Sequence, residues 1–232
     1  MDLLRQQGKI RKYQVLSRFP GRIGRIYQEK LANRVLHFET YKAFDEALRH
    51  CSQMICIDIG ANVGTITSIM AQSASRVFAF EPDPWAFTRL SYATEKLQNV
   101  TLINAAAGIS DNDVRLFRRK EFDSDPILHS AASSVFMNKH SDTGNTFLVG
   151  QVDIIDFLLE MEEDVGIIKI DAEGAEVPIL ERLLDHDTLA NKIHYVFAET
   201  HERIFPELSA RYLALRNKCD ESLRPHVNLN WP

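Results

Sequence analysis

The sequence predicts an α/β fold with a mainly parallel central sheet flanked by helices. Short apolar runs recur at 54–59, 77–81, 167–171 and 193–199. Runs this short and this continuously apolar read as parallel strands buried on both faces. Helical periodicity lies between them, and strands alternating with helices give a parallel sheet. An acid closes each run: Asp58, Glu81, Asp171 and Glu199. Ligands of such sheets sit beyond the carboxyl ends of the strands, so four acids are expected around one rim.

The elements follow in order. Residues 1–50 read as helical, interrupted at Pro20-Gly21, with 43–48 leading into the core. The run 54–59 ends in a glycine turn, and a helix is expected from about Asn62 with Ile66, Ile69 and Met70 on one side. After the strand 77–81, Pro82 and Pro84 open a helix, since proline is tolerated in a first turn. Its apolar positions Ala86, Leu90, Ala93 and Leu97 recur at helical steps. Residues 100–103 are a third strand, and 114–117 and 147–152 two more. The polar, Ser-rich stretch 123–144 between them is expected as a long loop, either a functional lid or a disordered insertion. A short helix at 153–159 precedes the strand 167–171. A helix from Gly174 onward turns Val177, Leu180 and Leu184 inward. After the strand 193–199 come a helix at 206–218 and a closing edge strand at 227–231.

The chain's 232 residues, 45% apolar and 25% charged, suit one large soluble domain with a small accessory segment. We divide it into a basic helical segment, 1–50, and a larger α/β domain, 51–232. Cys51, Cys56 and Cys219 form no metal spacing and no disulfide framework, which fits a reducing compartment. No apolar stretch reads as a signal peptide or a membrane span, so the expected location is the cytoplasm. The net charge of -5 is unevenly spread: residues 1–50 hold 11 Lys/Arg against 5 Asp/Glu, and the rest 16 against 27. The basic segment is either a solvated helical face or a contact for an anionic partner.

The turn Asp58-Ile-Gly60-Ala61-Asn62-Val-Gly64 joins a strand to a helix. Gly60 and Gly64 let backbone approach a ligand closely, and Asn62 tolerates left-handed backbone. Its spacing fails the G-x-G-x-x-G dinucleotide pattern. Asp58 would repel a pyrophosphate but suits a ligand with positive charge, such as the amino-acid end of S-adenosylmethionine. Glu81, 23 residues on, ends the next strand where a carboxylate can accept both ribose hydroxyls.

Together with Phe80-Glu81-Pro82 and Ile168-Lys169-Ile170-Asp171-Ala-Glu173-Gly174-Ala-Glu176, this turn resembles the FkbM-type methyltransferases over roughly residues 54–205. Segments 152–158 and 104–108 look like that family as well. The resemblance implies a seven-stranded, Rossmann-like class I methyltransferase fold and O-methylation of a hydroxyl on a sugar, glycan or secondary metabolite. It implies that Asp58, Gly60, Ala61, Asn62, Gly64 and Glu81 bind S-adenosylmethionine, with Asn104 and Ala105 near its adenine.

A hydroxyl acceptor must lose its proton, so a base is needed. Asp171 and His201 are the candidate bases, and Glu173 is expected to orient substrate or help hold a cation. Glu173 and Glu176 can equally serve as helix N-terminal charge. Asp171, Glu199 and His201 could share a divalent cation, although no dedicated metal site is predicted. Two other functions compete: a nucleic-acid methyltransferase that uses the basic segment, and a non-catalytic scaffold that keeps the fold.

Overall fold

The computed structural model describes residues 3–130, 133–137 and 140–232. Two helices come first, α1 (Leu3–Leu16) and α2 (Gly21–His50), broken at the expected Pro20-Gly21. The core follows as β1 (Ile55–Ile59), α3 (Thr65–Met70), β2 (Arg76–Phe80), α4 (Pro84–Thr94), β3 (Val100–Ile103) and β4 (Ala106–Gly108). Next come β5 (Asn112–Arg119), α5 (Pro126–His129), β6 (Ser141–Asp153), α6 (Ile154–Leu159) and β7 (Val165–Ile170). The chain continues through α7 (Glu176–Leu184), α8 (Asp187–Lys192), β8 (Ile193–Ala198), α9 (Ser209–Glu221) and β9 (His226–Asn228).

The central sheet has the order β3-β2-β1-β7-β8-β9, and every pairing in it is parallel. The chain runs outward from β1 to β3, then returns to β7 on the other side of β1. The crevice between β1 and β7 is therefore the topological switch point, where ligands of such sheets bind. Side chains alternate across the sheet. Ile55, Ile57 and Ile59 of β1 pack with α6, α7 and α9 on one face. Cys56 packs on the other with Phe44 of α2, Met70 of α3 and Trp231. The last turns of α2, from Thr40 to Leu48, thus belong to the core.

Three expectations change. The central sheet has six strands, not seven: β5 and β6 pair antiparallel and join β4 in a separate three-stranded sheet. The closing strand is shorter than 227–231 and lies parallel on β8. The helices expected from Asn62 and Gly174 begin later, at Thr65 and Glu176. Asn62, Gly64, Glu173 and Gly174 hold positive φ, which breaks helical geometry before those starts. The described part of the 123–144 stretch is ordered into α5 and the start of β6; residues 131, 132, 138 and 139 of it lie outside the described residues. No helix among the described residues is long and apolar enough to cross a membrane.

Candidate active site

The glycine turn lies on the switch-point crevice. Gly60 has φ +73°, and a Cβ there would meet the Asp171 carbonyl oxygen at 1.9 Å. Only glycine permits β1 and β7 to end this close. The Gly60 and Ala61 N–H groups both donate to the Phe80 carbonyl, which ties the turn to the end of β2. Asn62, at φ 48°, turns its own N–H toward Glu81. Gly64, at φ 87°, starts α3, with its missing side chain facing Leu90.

Glu81 is nearly buried at the end of β2. Its Oε2 accepts from the Asn62 N–H and its Oε1 from the Asp83 N–H, both at 2.8 Å. Burial pushes its carboxyl up to about 7 despite those two bonds and the nearby Lys169. Asn104 donates to the Glu81 backbone carbonyl at 2.8 Å, so it positions that residue. Ala105 is buried, and its neighbours Ala106 and Ala107 line the cavity beside Glu81.

Asp58 lies beneath the turn, fully buried, and lines neither cavity described below. Its Oδ2 accepts from Thr67 Oγ1 at 2.7 Å, and its Oδ1 pairs with Lys169 Nζ at 3.5 Å. Lys169 also donates to the Gly60 carbonyl at 2.8 Å and faces Asp171 at 3.5 Å. Burial disfavours the Lys169 charge, but Asp171 and Asp58 outweigh it and raise its pKa. The sequence reading missed Lys169. The available signal was a lone charge inside the apolar run Ile167-Ile168-Lys169-Ile170, since a buried cation requires a partner.

Two cavities flank the turn and share Gly60, Asn62 and Asp171. The first, a narrow cavity of about 50 Å³, is lined by Glu81, Ala107 and Glu173 among others. The second, of about 220 Å³, lies toward Tyr41, Lys169 and Trp231. Ser130, Ser133 and Val135 of the Ser-rich stretch line the first. Ser130 Oγ donates to Asn62 Oδ1 at 3.0 Å, Ser133 Oγ to Asp83 at 3.2 Å, and Ser134 Oγ to the Glu173 carbonyl at 2.6 Å. Asp83 caps α4 and also takes a two-pronged ion pair from Arg118, both contacts at 2.7 Å. The Arg118 guanidinium lies over the rings of Phe122 and Phe147. That clamp fastens the small sheet to the rim.

Of the four acids expected at the rim, Asp171 and Glu199 converge on His201, joined by Glu173 and Glu176, whereas Asp58 lies beneath the turn and Glu81 is held by the Asn62 and Asp83 N–H groups. The His201 Nε2 is 3.6 Å from Glu173 and 3.8 Å from both Asp171 and Glu199. Its Nδ1 is 3.0 Å from Glu176 Oε1, which also accepts the Tyr212 hydroxyl. Burial alone would lower the imidazole pKa. The hydrogen bond to Glu176 and the surrounding carboxylates reverse that and raise it to about 9. A pKa raised this far favours the imidazolium form at neutral pH. Burial would raise Glu176, but its bonds from His201 and Tyr212 hold it below the usual carboxylate range. Glu173 goes the other way, pushed up to about 7 chiefly by burial, and Glu199 likewise, with Asp171 adding repulsion. Asp171, Glu173 and His201 each offer a ligand atom, all within 4.8 Å of one another. Nothing in the sequence signalled Tyr212, which comes from α9.

A hexuronic acid methyltransferase, AglP of Haloferax volcanii, is 26% identical over 152 residues, covering 65% of this chain and 57% of that protein. The chain thus spans less than two thirds of that relative's length. A crystal structure of the methyltransferase FkbM from Methylobacillus flagellatus is similar at a TM-score of 0.35 and 19% identity, over 58% of this chain and 31% of that one. The precorrin-6y C5,15-methyltransferase of Geobacter metallireducens is similar at a TM-score of 0.36 and 14% identity, over 75% and 66%. The family model of the methyltransferase FkbM domain matches residues 58–221, from the glycine turn to the end of α9. The chain belongs to the methyltransferase FkbM domain family.

Proposed function

We propose that this chain moves the methyl group of S-adenosylmethionine to a hydroxyl of a sugar or glycan. The observation that carries the reading is one cavity holding both halves of the chemistry: Glu81 and the glycine turn on one side, Asp171 and Glu173 on the other. Glu81 has both oxygens fixed by backbone N–H groups and still has lone pairs for a ribose diol. Gly60, Ala61, Asn62 and Gly64 shape the turn against which the cofactor lies, and Asn104 and Ala105 hold the wall near its adenine. Asp58 acts from beneath, through Lys169 and Thr67.

S-adenosylmethionine supplies an electrophilic methyl on a sulfonium. The chain's part is to align the acceptor oxygen, which can supply much of the rate, and to take its proton. Glu173 is the base. A carboxyl with a pKa near 7 combines a sizeable ionised fraction with real proton affinity at neutral pH. Bound there, S-adenosylmethionine would give its methyl group to the acceptor oxygen and become S-adenosylhomocysteine, while Glu173 would take the proton that the hydroxyl loses. Asp171 orients the acceptor, and the His201 cation keeps the clustered carboxylates compatible. Support for a sugar acceptor comes from the relative named as a hexuronic acid methyltransferase.

The test is methyl transfer to a panel of uronic-acid and neutral glycosides, read by mass spectrometry. Methylated glycoside that disappears with Glu173→Gln supports the reading. A panel with no product, while a non-sugar alcohol is methylated, contradicts the acceptor class.

A second reading has its own support. The Glu176–His201 hydrogen bond resembles the carboxylate that orients metal-bound histidines from behind. In that reading Asp171, Glu173 and His201 would hold a divalent cation in place of the imidazole proton. Activity lost on chelation and restored by magnesium or manganese favours it; activity indifferent to chelators excludes it.

A further inference from the structure

The N-terminal helices form an antiparallel hairpin that stands off the catalytic body. The rings of Tyr13 and Tyr27 lie 5.6 Å apart, and Arg34 donates to Gln6 at 2.7 Å. A Cβ on Gly24 would meet the Phe19 carbonyl at 1.8 Å, so the chain reversal is tight. Gly24 is the only buried residue of α2 before Thr40. At 1.5 Å per residue, the stretch from 21 to 39 projects about 28 Å before the helix enters the core.

The end of this hairpin has an unusual surface. Val15, Phe19 and Ile23 are 61%, 54% and 57% exposed, and Ile26 is exposed beside them. Arg18, Arg22 and Arg25 are interleaved with them and exposed. Residues 6–36 hold eight Lys/Arg and one acid, Glu29. Among the described residues, none of those eight joins an acid in an ion pair. Residues 51–232 carry the opposite charge, 16 Lys/Arg against 27 Asp/Glu.

We propose that the hairpin tip docks on an anionic lipid surface. Exposed aliphatic and aromatic side chains ringed by arginine match a boundary where acyl chains meet phosphates. The acidic body is repelled by such a surface, so approach is hairpin-first. A nucleic acid would use the cations but leave Val15, Ile23 and Ile26 in water. A second copy would bring two strongly basic tips together.

The test is co-sedimentation of the full chain with vesicles of phosphatidylcholine alone or mixed with phosphatidylglycerol. The bound fraction should rise at least fivefold on the anionic vesicles and fall as salt is added. Arg18→Glu with Arg22→Glu, and separately Phe19→Ser with Ile23→Ser, should each abolish most of that binding. Both pairs are exposed, so circular dichroism and the melting temperature should match wild type. Equal binding to both vesicles, or full binding by the Phe19→Ser/Ile23→Ser protein, overturns the proposal. So does a dimer in light scattering that the serine pair dissociates, or tighter binding to an RNA or DNA oligonucleotide than to anionic vesicles.

Discussion

Lys169 and Asp58 stand in register on neighbouring parallel strands, with Nζ and Oδ1 3.5 Å apart and both side chains buried. The pair lies directly under the glycine turn, whose Gly60 carbonyl takes a hydrogen bond from the same ammonium. One buried cation thus couples the end of β1, the turn and the end of β7.

Removing that cation leaves Asp58 buried and uncompensated. Lys169→Met should cost about 3–5 kcal/mol of stability, the usual scale for breaking a buried pair. Urea denaturation measures it. Adding Asp58→Asn should recover a substantial part, because the orphaned charge is then gone. A double variant as unstable as Lys169→Met would show that the pairing is not what matters.

Gly60→Ala places a methyl group 1.9 Å from the Asp171 carbonyl at a positive φ. Backbone strain of this kind costs roughly 1–3 kcal/mol, and relief requires the strand ends to part. Both the melting temperature and cofactor affinity should drop. Gly150→Ala, at a site with open space around it, should leave both nearly unchanged.

The His201–Glu176 contact makes stability depend on alkaline pH. The folded pKa of His201, about 9, lies above the ordinary imidazole value of about 6.5. Its contribution is therefore complete below about 6.5 and is lost as pH rises through about 9. Unfolding midpoints measured across that window should fall for the wild type. His201→Gln should flatten the decline, and an unchanged slope in that variant would contradict the assignment.

Activity should rise with pH through about 7 as Glu173 becomes a carboxylate. Glu173→Gln should lower kcat by about 10²–10⁴-fold, the range for loss of a general base, and remove that limb of the pH profile. Glu199→Gln serves as the control, since Glu199 has a similar raised pKa but lies outside the first cavity.

What the sequence disclosed follows from burial. β1, β2, β7 and β8 are buried on both faces or nearly so, which makes each a continuous apolar run, and the acids just after β2, β7 and β8 mark the rim, while Asp58 stays buried within β1. β4 and α8 escaped notice because three and six residues carry too little periodicity. The late starts of α3 and α7 depend on positive φ at Asn62 and Glu173, which a non-glycine residue does not announce. The charge on His201 depends on Asp171 and Glu173 in the turn after β7 and on Glu176 at the start of α7, and no linear spacing reports that. The Arg118–Asp83 clamp joins residues 35 apart, one on β5 and the other capping α4, and was equally silent.

The central claim is that Glu81 and the glycine turn hold S-adenosylmethionine. Titration calorimetry with S-adenosylmethionine on the wild type and Glu81→Ala tests it most directly. A charged hydrogen bond contributes about 1.5–3 kcal/mol, so the wild type should bind one-to-one and the variant at least about tenfold more weakly. Wild type that releases no binding heat at several temperatures, or Glu81→Ala with unchanged affinity, would contradict it.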